Sequence, residues 1–369
     1  MSAPSCVRVA PQPAPSDAYD VVIERGALAR IGEMALQVVP AARYAIISDA
    51  HVAAILGDAV LAALGAHAPT ELFSFSPGEA SKTRATWAEL SDAMLARGVG
   101  RDACVVALGG GVTGDLAGFV AATYMRGVPW IQVPSTLLAM IDASIGGKTG
   151  VDVPAGKNLV GAFAQPRLVV VDPDLLRTLP PHELRNGLAE AVKHGAIADA
   201  AYHDWIDANA AGVARGAAEF MPSLVQRSIQ IKADVVSRDP HERGERASLN
   251  FGHTIAHAIE RLTDFGVPHG VAVAMGMVAE ARIGEAAGVT ESGTATRLAR
   301  SLGRLGLPDC PPGTLDPAQL LAATTSDKKA RAARVRWALI ARVGEAARGP
   351  AGEWTFEVPH DIVLQALQS

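Results

Sequence analysis

The chain has 369 residues, of which 49% are hydrophobic and 19% charged, and its formal net charge is -5. So long a chain exceeds what one hydrophobic core usually serves, and two domains are expected. An acidic chain without a long run of Lys or Arg is not built to hold nucleic acid or an anionic membrane surface, so any cations used for binding must be gathered locally. Cys6, Cys104 and Cys310 lie far apart. They form no paired metal spacing and no disulfide framework, which points to a reducing, cytoplasmic setting.

Residues 1–16 are rich in Pro, Ala and Ser and lack the apolar core of a secretory signal, so a disordered tail is expected. From Tyr19 to Asp172, short β-prone runs at 45–48, 71–75, 104–108, 130–133 and 168–171 alternate with helical patterns. That alternation predicts an α/β fold: a Rossmann-like, mostly parallel sheet domain over residues 17–180. After Pro180-Pro181 the pattern changes. Residues 192–206, 224–236, 253–262 and 271–286 carry apolar side chains at helical spacing, and no strand-like run returns until 335–341. Residues 181–369 are therefore expected to form a mainly α-helical domain, with a last extended segment at 354–358. No stretch offers the roughly 18 apolar residues that cross a bilayer.

The run ending at Leu108 leads into Gly109-Gly110-Gly111-Val112-Thr113-Gly114-Asp115. Glycines between a strand and a helix let the backbone approach a pyrophosphate, whose charge the free amides of the helix start stabilise. A tight structural turn is the plainer reading. The ribose-binding acid that usually follows about 20 residues on is missing, because the next strand leads into Pro134-Ser135-Thr136. Asp49, Glu79 and Lys82, near the ends of earlier strands, are candidates to supply those contacts.

His253 and His257 are four apart and share one helical face, His269 follows a loop, and Glu190 sits on another helix with Lys193 and His194 beyond it. Carboxylate and imidazole groups with an open position suit a zinc ion that polarises a substrate oxygen. Lys148 and Lys157 fall in glycine-rich segments expected to be turns, and Lys193, Lys232, Arg246, Lys328 and Lys329 lie near other candidate residues. Convergence of so many cations in an acidic protein points to a substrate with several negative charges.

Taken in order, the motifs resemble those of the 3-dehydroquinate synthases, within the sugar phosphate cyclases. The resemblance runs from about Asp49 to Lys329. It is carried by Gly109 to Asp115, Gln132-Val133-Pro134-Ser135-Thr136-Leu137-Leu138, Asp142 to Gly150, Gly156-Lys157-Asn158, Gly187-Leu188-Ala189-Glu190, Asn250-Phe251-Gly252-His253-Thr254 and Asp327-Lys328-Lys329. It implies zinc or cobalt held by Glu190, His253 and His269, with His257 and His194 not among the metal ligands. It implies NAD contacts from Asp49, Glu79, Lys82, Gly109, Gly110, Gly111, Val112, Asp115, Ser135, Thr136 and Thr178, with Asp142 and Lys157 shared between cofactor and substrate. Around the substrate it places Asp142, Lys148, Lys157, Asn158, Lys193, Lys232, Arg246, Asn250, His257 and Lys328 or Lys329. Lys148, Arg246 and Asn250 would hold a carboxylate, and Asn158, His257 and a paired lysine the phosphate. Arg126 would reach the phosphate of a neighbouring subunit's substrate, which implies a homodimer.

The implied reaction converts 3-deoxy-D-arabino-heptulosonate 7-phosphate to 3-dehydroquinate and phosphate, a step of the shikimate pathway towards aromatic amino acids. It proceeds by transient oxidation, phosphate elimination, reduction and internal aldol closure, with His257 or the departing phosphate as base. Two departures from the family pattern stand out. Val271 replaces the glutamate usually found after His269-Gly270, removing a carboxylate near the metal, and Ala143 replaces a common serine beside Asp142. The alternatives are a cyclase acting on an aminated or uncarboxylated sugar phosphate, such as an aminodehydroquinate synthase, a metal-dependent polyol dehydrogenase, and a non-catalytic regulator that binds metal and NAD.

Overall fold

The computed structural model describes residues 17–325 and 335–368. The tail expected over 1–16 and the Lys328-Lys329 pair lie outside the described residues. The first half runs β1 (Asp20–Ile23), α1 (Ile31–Val38), β2 (Arg43–Asp49), α2 (Ala50–Gly65), β3 (Thr70–Phe75), α3 (Arg84–Ala96), β4 (Ala103–Gly109), α4 (Gly111–Thr123), β5 (Trp130–Pro134), β6 (Lys148–Val153), β7 (Gly156–Phe163) and β8 (Leu168–Val171). Six of these strands form one sheet in the order β1-β8-β5-β4-β2-β3, with every pairing parallel. The five anticipated runs fall inside β2, β3, β4, β5 and β8; β1, a short edge strand, was not anticipated.

Both faces of the sheet are covered, which is why its central strands read as unbroken apolar runs. Tyr44, Ile46, Cys104, Val106 and Leu108 face a core shared with Ile31, Val60 and Leu64 of α1 and α2. Ala45, Ile47, Val105 and Ala107 face the opposite core with Leu90, Met94, Leu116 and Val120 of α3 and α4. Because all six strands point the same way, the segments after their carboxyl ends collect along one edge. There a ligand site of an open α/β sheet is built.

The two lysine-bearing segments expected as turns are instead the strands of an antiparallel hairpin, β6 paired with β7. The turning is done earlier, at Gly146 and Gly147, both at positive φ. Lys148 thus opens β6 with its backbone already fixed.

The second half contains α5 (Pro181–Ala198), α6 (Ala200–Ala208), α7 (Ala210–Val213), α8 (Met221–Arg238), α9 (His253–Leu262), α10 (His269–Ala286), α11 (Thr294–Arg304), α12 (Pro317–Thr325), the pair β9 (Ile340–Arg342) and β10 (Glu345–Ala346), and α13 (His360–Gln368). Pro181 opens α5 at a position where a missing N–H costs nothing. α10 is apolar nearly all round, as a central helix must be, and packs against α5, α9, α11 and α13. The helical core also takes in Leu137, Met140, Ile141, Val169 and Val171 from the sheet half. The strand expected at 335–341 is shorter than predicted: only a bridge at Trp337 to Phe356 and then β9 form. Among the described residues no helix is long and apolar enough to cross a membrane.

Candidate active site

The glycine segment joins β4 to α4 directly, with Gly110 as the residue before the helix. A Cβ on Gly109 would stand 2.4 Å from Thr113 Oγ1, and one on Gly114 would stand 2.2 Å from Gln132 Nε2 on β5. Gly109 is therefore required by close approach, whereas Gly114 meets only the end of the Gln132 side chain. Ala143 lies against Gly111, where an added Cβ would meet its methyl at 3.4 Å; the small residue fits the gap where the family pattern has serine. Val112 follows in the first turn of α4.

The other cofactor candidates stand at or just after the carboxyl ends of neighbouring strands. Asp49 ends β2 and caps α2 through His51 and Val52 amides, each at 3.0 Å, while Thr113 Oγ1 reaches its second oxygen at 3.4 Å. Glu79 and Lys82 follow β3, and Lys82 donates to Asp115 of α4 at 2.6 Å. Burial of Asp115 raises its carboxyl above the ordinary value against the pull of Lys82. After β5, Ser135 Oγ is buried without a hydrogen-bond partner in the described structure, a polar atom left for a ligand to satisfy. Thr136 Oγ1 accepts from the Ala139 amide at 3.1 Å. Thr178, past β8, donates to Leu175 O at 3.1 Å.

Three helices meet beside this edge. α5 comes close to the segment after β5 because Gly187 has no side chain: a Cβ there would lie 2.6 Å from Leu137 Cβ. The start of α10 abuts α5 in the same way, since a Cβ on Gly270 would lie 1.9 Å from Asn186 O. These approaches bring Glu190 of α5, His253 at the first position of α9 and His269 at the first position of α10 together. Nε2 of His253 and Nε2 of His269 lie 3.5 and 3.6 Å from the same Glu190 oxygen. All three ligand atoms fall within 4.8 Å of one another.

The far side of each imidazole is held as well: His253 Nδ1 is 3.3 Å from Phe251 O, and His269 Nδ1 is 3.4 Å from a Glu260 oxygen. Such outer partners fix ring orientation in metal centres. Glu190 is fully buried, and neither of its oxygens has a well-aligned hydrogen-bond donor, although Lys193 pairs with the second by charge. A buried carboxylate facing two braced imidazole nitrogens fits a divalent ion with three protein ligands and an open position. Burial opposes ionisation of Glu190, yet Lys193 and the histidines hold its carboxyl well below the usual range. Burial and then Lys193 keep His253 far below its ordinary value, whereas Glu190 and Glu260 overcome burial and push His269 up to about 10.

A second group, Asp142, Glu190 and His194, also meets the distance requirement. It suits a cation poorly. Lys232 already donates to the Asp142 carboxylate at 2.7 Å and to its carbonyl at 2.6 Å, and neither nitrogen of buried His194 has a hydrogen bond to orient it. Lys232, followed by Lys193, holds Asp142 ionised well below the usual range despite burial.

The remaining candidates divide. Lys148 pairs with Glu242, and Asn250 Nδ2 donates to the same carboxylate at 2.7 Å. Arg246 is buried and donates to Pro240 O at 2.6 Å and Gly146 O at 3.1 Å. Lys157 reaches towards Glu79 at 3.5 Å and Glu260 at 3.7 Å, so it spans from the sheet edge to α9. Asn158 adopts a positive φ and is exposed next to it. His257 lies one turn beyond His253, ring centres 5.6 Å apart. Arg126 is not with them: it is exposed in the turn between α4 and β5, at the opposite end of the strands.

Sequence reasoning missed two carboxylates that complete the site, Glu242 and Glu260. Glu260 was within reach, being seven residues from His253 on one helical face. It places a carboxylate 3.4 Å from His269 Nδ1.

A parallel sheet whose glycine turn faces a Glu–His–His cluster on a helical half defines the class of dinucleotide- and metal-dependent enzymes to which sugar phosphate cyclases belong. Among solved structures, a 2-epi-5-epi-valiolone synthase from Streptomyces hygroscopicus subsp. jinggangensis 5008, with NAD+ and Zn2+ bound, superimposes with a TM-score of 0.86 at 30% identity over 98% of each chain. A 2-deoxy-scyllo-inosose synthase complexed with carbaglucose-6-phosphate, NAD+ and Co2+ gives 0.85 at 28% identity over 95% of this chain and 96% of that one. A probable glycerol dehydrogenase from Sinorhizobium meliloti 1021 shares the fold alone, at 15% identity and a TM-score of 0.65 over 95% of this chain and 97% of the other.

The family models for the 3-dehydroquinate synthase N-terminal and C-terminal regions match residues 72–186 and 187–330. The 3-dehydroquinate synthase of Symbiobacterium thermophilum is 45% identical over 89% of this chain and 92% of its own length, and that of Xanthomonas axonopodis pv. citri 46% over 89% and 91%. The chain belongs to the 3-dehydroquinate synthase family.

Proposed function

We propose that this protein is a 3-dehydroquinate synthase, a carbon–oxygen lyase converting 3-deoxy-D-arabino-heptulosonate 7-phosphate to 3-dehydroquinate and phosphate, with NAD and zinc or cobalt as cofactors. The observation that carries the reading is the Glu190–His253–His269 cluster set beside Asp142, Lys193 and Lys232, in a chain 45% identical to an enzyme of that name. When bound, NAD supplies a reversible hydride acceptor and the metal a Lewis acid for substrate hydroxyls.

The residues of the chain bind and orient. Lys148, Asn250 and Arg246 form the carboxylate end; Glu242 already places a carboxylate against the first two and acts by charge on Arg246. The 45% identity to a 3-dehydroquinate synthase favours the carboxylated substrate over an uncarboxylated one. His257, Asn158, and Lys328 or Lys329 hold the phosphate end, His257 standing ready to relay a proton, and fixing both ends aligns the reacting carbons. We divide the chain into a nucleotide-binding domain, 17–180, and a metal- and substrate-binding domain, 181–369, since β8 ends at Val171 and α5 starts at Pro181. We further read it as a cytoplasmic homodimer in which Arg126 serves the partner's site.

Incubation with the heptulosonate phosphate and catalytic NAD tests the activity. Phosphate release matched by dehydroquinate, without net NADH, is expected. Stoichiometric NADH without phosphate release would establish a dehydrogenase instead, and turnover restricted to an uncarboxylated or aminated sugar phosphate would establish a different cyclase.

A further inference from the structure

One buried carboxylate has no place in this scheme. Glu280 of α10 is fully buried and accepts from the Gly252 amide at 2.7 Å and the Ile255 amide at 3.1 Å, with the Thr254 amide also acting on it. Among the described residues its partners are backbone amides with no cation. These amides are the first turn of α9, the helix that begins with His253.

A helix start leaves its first N–H groups without partners, and a Ser, Thr, Asp or Asn just before the helix normally accepts from them. Here that position is Gly252, at φ +83, with no side chain to do so. It has to be glycine: a Cβ would stand 2.8 Å from Met277 Cγ and 3.0 Å from Val273 O, while a Cβ on Gly276 would stand 1.9 Å from Gly252 O. The backbone of α9 meets that of α10 with nothing between them. The capping function has moved to α10, whose own first residue is His269. A single side chain therefore fastens the turn bearing one imidazole to the helix bearing the other.

We propose that Glu280 is a positioning residue of the metal centre, fixing the first turn of α9 so that Nε2 of His253 and Nε2 of His269 converge on Glu190. The inference rests on the Glu190–His253–His269 reading above. Its physical ground is that metal affinity depends steeply on ligand placement, and that His253, in the turn Glu280 holds, moves first if that turn frays. A negative group at a helix start is favourable in itself, so the claim needs a readout beyond stability.

The test compares wild type with Glu280→Ala and Glu280→Gln, using zinc affinity by chelator competition, the visible absorption of the cobalt-substituted protein, NAD affinity and far-ultraviolet circular dichroism. Zinc binding is expected to weaken about tenfold or more in Glu280→Ala, with an altered cobalt band, unchanged NAD binding and retained helicity. Glu280→Gln, whose amide oxygen still accepts, is expected to fall between, and it carries the test if the alanine variant does not fold. Folded variants with wild-type zinc affinity and cobalt spectrum, whatever their melting temperature, would overturn the positioning role and leave the metal reading standing. A wild-type protein that takes up no zinc would overturn the metal reading and this inference with it.

Discussion

At the metal cluster one buried carboxylate is shared by Lys193 and two imidazoles, so the chain arranges charge there that a folded interior otherwise avoids. His203, on α6, shows the cost of burial without such company. It is buried with neither ring nitrogen hydrogen-bonded. Burial, and then Arg297, lower its pKa below 6.5, outweighing Asp204 and Asp207, which pull it up. The folded protein thus prefers the neutral ring. Stability linked to His203 is present in full above pH 6.5 and is lost as pH falls from there through the lower folded value, because the unfolded chain takes up the proton first. Wild type is expected to lose stability relative to His203→Gln as pH is taken from 7.5 to 5, read as the difference between their denaturation midpoints. A difference that stays constant across that interval would show that His203 titrates normally in the fold.

Among the elements, the β4–α4 junction ties packing to cofactor binding most tightly. Gly109 faces the first turn of α4, where an added Cβ would stand 2.7 Å from Thr113 Cβ, so Gly109→Ala has to shift that turn and with it the amides of Gly110 and Gly111. The substitution is expected to cost about 1–3 kcal/mol and to weaken NAD binding, measured by thermal unfolding and by NAD titration; full NAD affinity in the variant would separate the glycine from the nucleotide site. This junction was legible in the sequence because β4 is buried on both faces and reads as one apolar run ending in glycines. The β6–β7 hairpin was not, since its strands interleave glycines and exposed residues such as Leu159 and Phe163 without a clean period of two. α9 and α10 were legible from periodicity, but the convergence of Glu190, His253 and His269 came from a resemblance. Nothing local in the chain joins residues 190, 253 and 269. Glu242 and Glu280 stayed hidden for a related reason: each acts on backbone or side chains of another segment, and an isolated glutamate carries no mark of its partner.

For the molecule as a whole, Arg126 is the candidate residue that stands apart from the others. It sits exposed in a strained turn, with Met125 and Arg126 both at positive φ, at the end of the sheet away from the metal cluster. A conformation of that kind persists where the surrounding structure holds it. In the proposed homodimer a two-fold axis would deliver each Arg126 to the other subunit's phosphate end. Arg126→Ala and Lys148→Ala are each expected to be severely impaired as pure proteins. Unfolding and refolding them together yields mixed dimers in which the Arg126→Ala subunit keeps its own Lys148 and receives Arg126 from its partner. With half the dimers mixed and one of two sites intact in each, about a quarter of wild-type activity should return. If Arg126 instead acted within its own chain, no mixture would contain a complete site, and activity would stay at the level of the parents.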